Sequence, residues 1–178
     1  MAWKAKVSET NLPAKVVDQA DGSEAKSSQI TELLRKIDSQ LQEGQPKNAL
    51  ALISRGKVES PWVTNAAGVC LLRLGEAKQA TQSFRSLVMS SGGWTIREDV
   101  PTVFKTNLAT ALLACNDIEG CRGVLSEVND PQNPVVQQLL AAIQHWKKSL
   151  SLWEKVKWYT GDQPNRPVVL DFVLGDPE

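Results

Sequence analysis

The chain has 178 residues, 42% hydrophobic and 22% charged, a length and usage that suit one globular domain with a sizeable core. Twenty Lys and Arg balance twenty Asp and Glu, which excludes a chain-wide field that would draw in nucleic acid or an anionic membrane. No apolar run approaches a signal peptide or a membrane span of roughly 20 residues, and three cysteines without secretory context read as reduced thiols in a cytoplasmic protein.

Residues 1–28 read as a loosely ordered arm. Trp3, Val7, Leu12, Val16 and Val17 are scattered, and Pro13 and the turn signal Asp21-Gly22-Ser23 interrupt any helix. Docking of the arm through Trp3 is the alternative. From residue 29 the pattern becomes helical and stays so to 161. Ile30, Leu33, Leu34, Ile37 and Leu41 recur at helical spacing before Gly44, and Ala49, Leu50, Leu52 and Ile53 form a second apolar face after Pro46. These make a first hairpin, 30–60. Ser60-Pro61 opens a second, 61–100, in which Val63, Ala66, Ala67, Val69, Cys70, Leu71, Leu72 and Leu74 lead to Gly75. Ala77, Ala80, Phe84, Leu87 and Val88 follow. A third, 101–132, runs through Val103, Phe104, Leu108, Ala111, Leu112 and Leu113 to Asn116-Asp117, then Ile118, Cys121, Val124, Leu125 and Val128.

Asn133-Pro134 makes a helix start. Val136, Leu139, Ile143, Trp146, Leu150 and Trp153 then alternate by three and four with no Gly or Pro before Gly161. The spacing predicts one helix over 133–161, about 40 Å long, that caps the exposed end of the array. Pairing of two copies along this seam is the alternative. In the tail, 162–178, Val168, Leu170, Phe172 and Leu174 alternate with Val169, Asp171 and Val173, an extended period in a helical protein.

The three turns recur in phase. Gly44 to Gly75 is 31 residues and Gly75 to Asn116 is 41, and the small residues Ala49, Ala80 and Cys121 repeat at the same intervals. Asn substitutes for Gly because it tolerates the left-handed backbone. The excess in the second interval falls in the loop-like stretch from Ser90 to Asp99.

With Gly75 as the turn glycine, Gly68 and Ala80 as the small positions and Phe84 as the large one, residues 61–89 resemble the tetratricopeptide repeat (TPR), and residues 30–130 resemble three such units in a TPR-like helical-repeat protein. The motif's usual first-helix Trp and Tyr are absent, with Thr64 and Leu71 in their places. The resemblance implies an all-α, right-handed solenoid of about three helical hairpins, with the long C-terminal capping helix and extended tail added to it. It implies a protein–protein interaction scaffold or adaptor whose first helices line a concave groove for a peptide or helix. Groove-facing candidates are Arg35, Asp38, Trp62, Asn65, Arg73, Lys105, Asn107 and Thr110, the amides being suited to an extended backbone because they donate and accept. The family's clamp for a chaperone C-terminal carboxylate is not expected, because Leu34, Asp38, Val103 and Asn107 stand where Lys, Asn, Lys and Arg belong. The tail either packs along the helices or lies in the groove as a built-in ligand, its own or a neighbour's.

Nothing in the chain points to an enzyme. His145 is the only histidine, no phosphate-cradling Gly-x-x-x-x-Gly-Lys is present, and the Cys115–Cys121 spacing matches no common zinc pair. No catalytic residue, metal or cofactor is expected. The expected partner is a protein or peptide, with no nucleic acid and no membrane. A homo-oligomeric module joined through the last helix or tail is the main alternative. A subunit of an enzyme whose chemistry lies in another chain is another. A lesser alternative is membrane-surface or nucleic-acid contact through the basic, Trp-rich stretch from His145 to Tyr159.

Overall fold

The computed structural model describes residues 17–178 except Trp94, Gln163, Asn165 and Glu178, with residues 17–24 given as helix backbone. Docking through Trp3 lies outside the described residues. Eight helices are found among them: α1 (Val17–Gln42), α2 (Pro46–Gly56), α3 (Pro61–Arg73), α4 (Ala77–Val88), α5 (Thr102–Ala114), α6 (Ile118–Ser126), α7 (Pro134–Ser149) and α8 (Leu152–Tyr159). Each of the first six packs on its neighbour in sequence, and α1 on α3, α3 on α5 and α5 on α7 also touch. The described chain is therefore all-helical, with its odd-numbered helices side by side.

The three turns between paired helices have one geometry. Gly44, Gly75 and Asn116 all take a left-handed backbone, with φ of 69°, 83° and 63°. At each, the following amide bonds back five residues: Gln45 to the Gln40 carbonyl, Glu76 to Leu71 and Asp117 to Leu112, at 2.8–2.9 Å. The turn residue itself bonds three back, to Leu41, Leu72 and Leu113. These paired hydrogen bonds satisfy carbonyls that a helix end otherwise leaves without partners. Past each turn, Ala49, Ala80 and Cys121 are fully buried. Gly68 lies flat against Phe84, so that a Cβ added there would sit 2.6 Å from the ring. The absent side chain sets how closely α3 and α4 approach.

Two expectations about the ends are corrected. Helix α1 begins at Val17 and runs through Asp21-Gly22-Ser23, so an arm reaching to residue 28 is wrong over its second half. A single helical glycine costs only about 1 kcal/mol against alanine, too little to end a helix whose C-terminal half packs on the core through Leu33, Leu34, Ile37 and Leu41. The predicted single helix over 133–161 is in fact two. Leu150 is extended (φ −69°, ψ 138°), and Ser151 starts α8 with a capping box: its hydroxyl accepts from the Glu154 amide while the Glu154 carboxylate accepts from the Ser151 amide. The break removes Trp153 from the seam. It is 69% exposed, and Trp158 instead meets Trp146 edge-to-face at 5.2 Å. Leu152, Val156 and Tyr159 are also exposed on α8.

The loop from Ser90 to Asp99 is closed by an isolated antiparallel bridge between Met89 and Ile96 and by Arg97, paired with Asp99 at 2.8 Å. No helix among the described residues is long and apolar enough to cross a membrane.

Candidate functional site

Helix α3 carries Asn65, Val69 and Arg73 at spacings of four, which places them in one stripe on one face. Asn107 on α5 faces the same strip, and its amide donates to the Asn65 Oδ1 across the helix pair at 2.9 Å. Both asparagines are buried, at 0% and 1% exposure. Their remaining hydrogen-bonding capacity is met by the tail.

The tail reaches this face in two stages. In the first, the Trp146 indole N–H donates to the Arg166 carbonyl at 2.8 Å, and the Arg166 guanidinium bonds the Ser149 carbonyl and the Glu154 carboxylate. Pro164 and Val168 are buried. From there the chain runs extended, with Leu170, Phe172 and Leu174 partly buried against the core and Val169, Asp171 and Val173 exposed. This is the alternation read in the sequence, built without a sheet.

In the second stage, residues Leu174–Pro177 lie across α3 and α5, whose side chains grip them by their main-chain atoms. Arg73 Nε donates to the Leu174 carbonyl at 3.0 Å and its Nη2 to the Gly175 carbonyl at 3.0 Å, while its Nη1 bonds the Leu41 carbonyl of α1 at 3.2 Å. Asn107 bonds Asp176 twice: its Oδ1 accepts from the amide at 2.9 Å and its Nδ2 donates to the carbonyl at 2.6 Å. Asn65 Nδ2 donates to the carbonyls of Asp176 and Pro177, both at 3.1 Å. A side-chain amide has two donors and one acceptor oxygen, and the pair uses all of them. Gly175 has φ +74°, and a Cβ there would stand 3.1 and 3.3 Å from the two methyls of Val69.

Of the eight residues expected to line a groove, Asn65, Arg73 and Asn107 converge on the tail. Trp62 is in the first turn of α3, its ring edge-on to Phe104 of α5 at 4.9 Å and about one-third exposed. The others lie elsewhere. Arg35 is exposed and pairs with Glu32 at 2.9 Å, which the guanidinium holds at a pKa of about 2. Asp38 accepts from Gln42 at 2.6 Å. Lys105 is buried and reaches the Glu127 carbonyl at 3.3 Å, and Thr110 is fully buried on the Thr106 carbonyl of its own helix. Val69 and Gly175 were not among the candidates. Their significance lies in a contact between distant segments, and no local pattern carries it.

Cys70 and Cys121 are buried, and burial pushes their thiols up to about 11 and about 12. Among the described residues no three His, Cys, Asp or Glu side chains gather as a metal site, and His145 is exposed on α7. No protein-family model matches this chain, and neither a curated protein nor a solved structure is significantly similar to it.

Proposed function

We propose that this protein is a TPR-like helical-repeat scaffold that holds an extended polypeptide segment on the face shared by α3 and α5. One observation carries the reading: two buried asparagines and an arginine from successive odd-numbered helices spend their hydrogen bonds on the main chain of an extended segment. A buried amide pair left without such a segment would lose partners worth about 1 kcal/mol each. An extended backbone supplies alternating carbonyls and amides at the spacing these groups meet. The repeated turn geometry at Gly44, Gly75 and Asn116 supports the repeat reading, since equivalent turns set equivalent helix pairs and place their first helices in a row.

A display selection of random peptides tests the proposal. It is run against the full chain with residues 174–177 replaced by a Ser-Gly spacer. Enriched peptides should shift the side-chain amide resonances of Asn65 and Asn107, and should lose binding by at least about tenfold in the Asn65→Ala/Asn107→Ala form. Binders indifferent to both substitutions would refute the assignment of the face.

A further inference from the structure

We infer that the α3–α5 face selects segments of the form apolar-Gly-x-Pro, with the glycine in the left-handed conformation, and that residues Leu174–Pro177 are a built-in copy of this ligand that a partner must displace. The inference rests on the peptide-holding reading above and adds the ligand's chemistry to it.

The hydrogen bonds from Asn65, Arg73 and Asn107 reach backbone atoms, so by themselves they accept almost any sequence. Selection comes from the surface beneath. At Gly175 two requirements coincide. The φ of +74° disfavours any L side chain, and a Cβ would press on both methyls of Val69, which is fully buried. The residue before it, Leu174, is partly buried against the core, while Pro177 is buried and follows two positions later. Proline fixes its own φ and has no N–H to satisfy. At that position only the carbonyl is used, by Asn65. A bound segment is therefore read at three positions: apolar, glycine and proline.

Occupation by the chain's own tail sets the affinity a partner needs. The distal residues are tethered through the anchored stretch at Arg166 and Val168, and a segment tethered so closely sees the face at an effective concentration on the order of 1 mM. A free copy with an intrinsic dissociation constant of about 10 µM competes with that occupancy at a disadvantage of about 100-fold. Partners succeed by matching the three positions and adding contacts along the face.

The test uses the full chain and two labelled peptides, one spanning residues 168–177 and one the same with Gly175→Val. Binding is measured by fluorescence anisotropy on the wild-type chain and on the full-length Gly175→Val variant, whose own tail is dislodged. The expected result is that the glycine peptide binds the variant about 100-fold more tightly than the wild type. The valine peptide should bind the variant at least about tenfold more weakly than the glycine peptide. Equal binding of the two peptides to the variant overturns the glycine selection but leaves a peptide-holding face in place. Equal binding of the glycine peptide to wild type and variant overturns the built-in competitor. If neither peptide binds the variant, the inference fails, and if displayed peptides also fail the face has no such role. Should Gly175→Val misfold by circular dichroism, Asp176→Pro replaces it, since it removes the N–H that Asn107 accepts.

Discussion

Replacing Asn107 by leucine keeps the number of heavy atoms and the branch at Cγ and removes the amide. Three hydrogen bonds go with it, two to Asp176 and one to Asn65. At about 1 kcal/mol net for each, the direct loss is about 3 kcal/mol. If the tail stayed in place, the Asp176 amide and the Asn65 Oδ1 would also be left without these partners, at a further cost of roughly 1–3 kcal/mol each. The tail avoids that cost by lifting off and hydrating. The free energy holding residues 174–177 on the face should therefore fall by about 2–4 kcal/mol, which speeds exchange of the Asp176 amide by about 30- to 1,000-fold. Native-state hydrogen exchange reads this directly, with the amide of Leu139, a fully buried residue of α7, as the internal standard. Arg73→Met should have a similar effect, and the double variant should add little to either, because both act through one segment. An Asp176 amide that exchanges at the wild-type rate in Asn107→Leu would refute the network as the tail's anchor.

Gly68→Ala should cost about 1–3 kcal/mol and lower Tm by roughly 3–10 °C, since its Cβ meets the buried Phe84 ring; an unchanged melting curve would mean that α3 and α4 are not in close contact there. Glu154 is held below the usual carboxylate range, first by the Ser151 backbone amide and then by the Ser151 hydroxyl and Arg166. A depressed folded pKa stabilises α8 above the unfolded carboxylate value and is lost as pH falls through the folded one. The Trp146–Trp158 fluorescence signal should therefore change in acid, and that change should vanish in Glu154→Gln. At pH 8 iodoacetamide should label Cys115, which is half-buried, well before Cys70 and Cys121. Thiols raised to about 11 and about 12 are thiolate in only roughly one molecule in 1,000 and one in 10,000 at that pH; mass spectrometry showing equal labelling of all three would contradict their burial.

The turns were legible because glycine and asparagine state a backbone requirement locally, and Gly44, Gly75 and Asn116 all meet it. The break at Leu150 was also written locally, as Ser151-x-x-Glu154. Gly and Pro are not the only stops, since a capping box begins a new helix as firmly as either ends one. The site was half legible. Position along a first helix picks out Asn65, Arg73 and Asn107, which meet the tail, but equally picks out Lys105 and Thr110, which bond the Glu127 and Thr106 carbonyls instead. Helix α5 is buried from Phe104 through Leu113, with α3, α4, α6 and α7 around it and the tail on its remaining side. A helix covered all round has no single polar face for periodicity to reveal. The fit of Gly175 over Val69 depends on segments far apart in sequence, and no window of residues encodes it.

The two stages of the tail differ in what holds them, and the difference bears on release. Around Arg166 and Val168 the grip combines buried surface with a donated indole N–H and a charged side chain tied at two points. Burial of this kind has no substitute in water. At Leu174–Pro177 the grip is mostly hydrogen bonds to main chain, each of which water or another backbone can replace at a net cost of about 1 kcal/mol. Holding Gly175 in one conformation also costs more chain entropy than holding any other residue. The distal four residues are therefore the part that opens first, while the proximal stretch keeps them near the face. The hydrogen bonds at Leu174–Pro177 join side chains of α3 and α5 to tail main chain, so these four residues can lift off while the helices beneath stay folded.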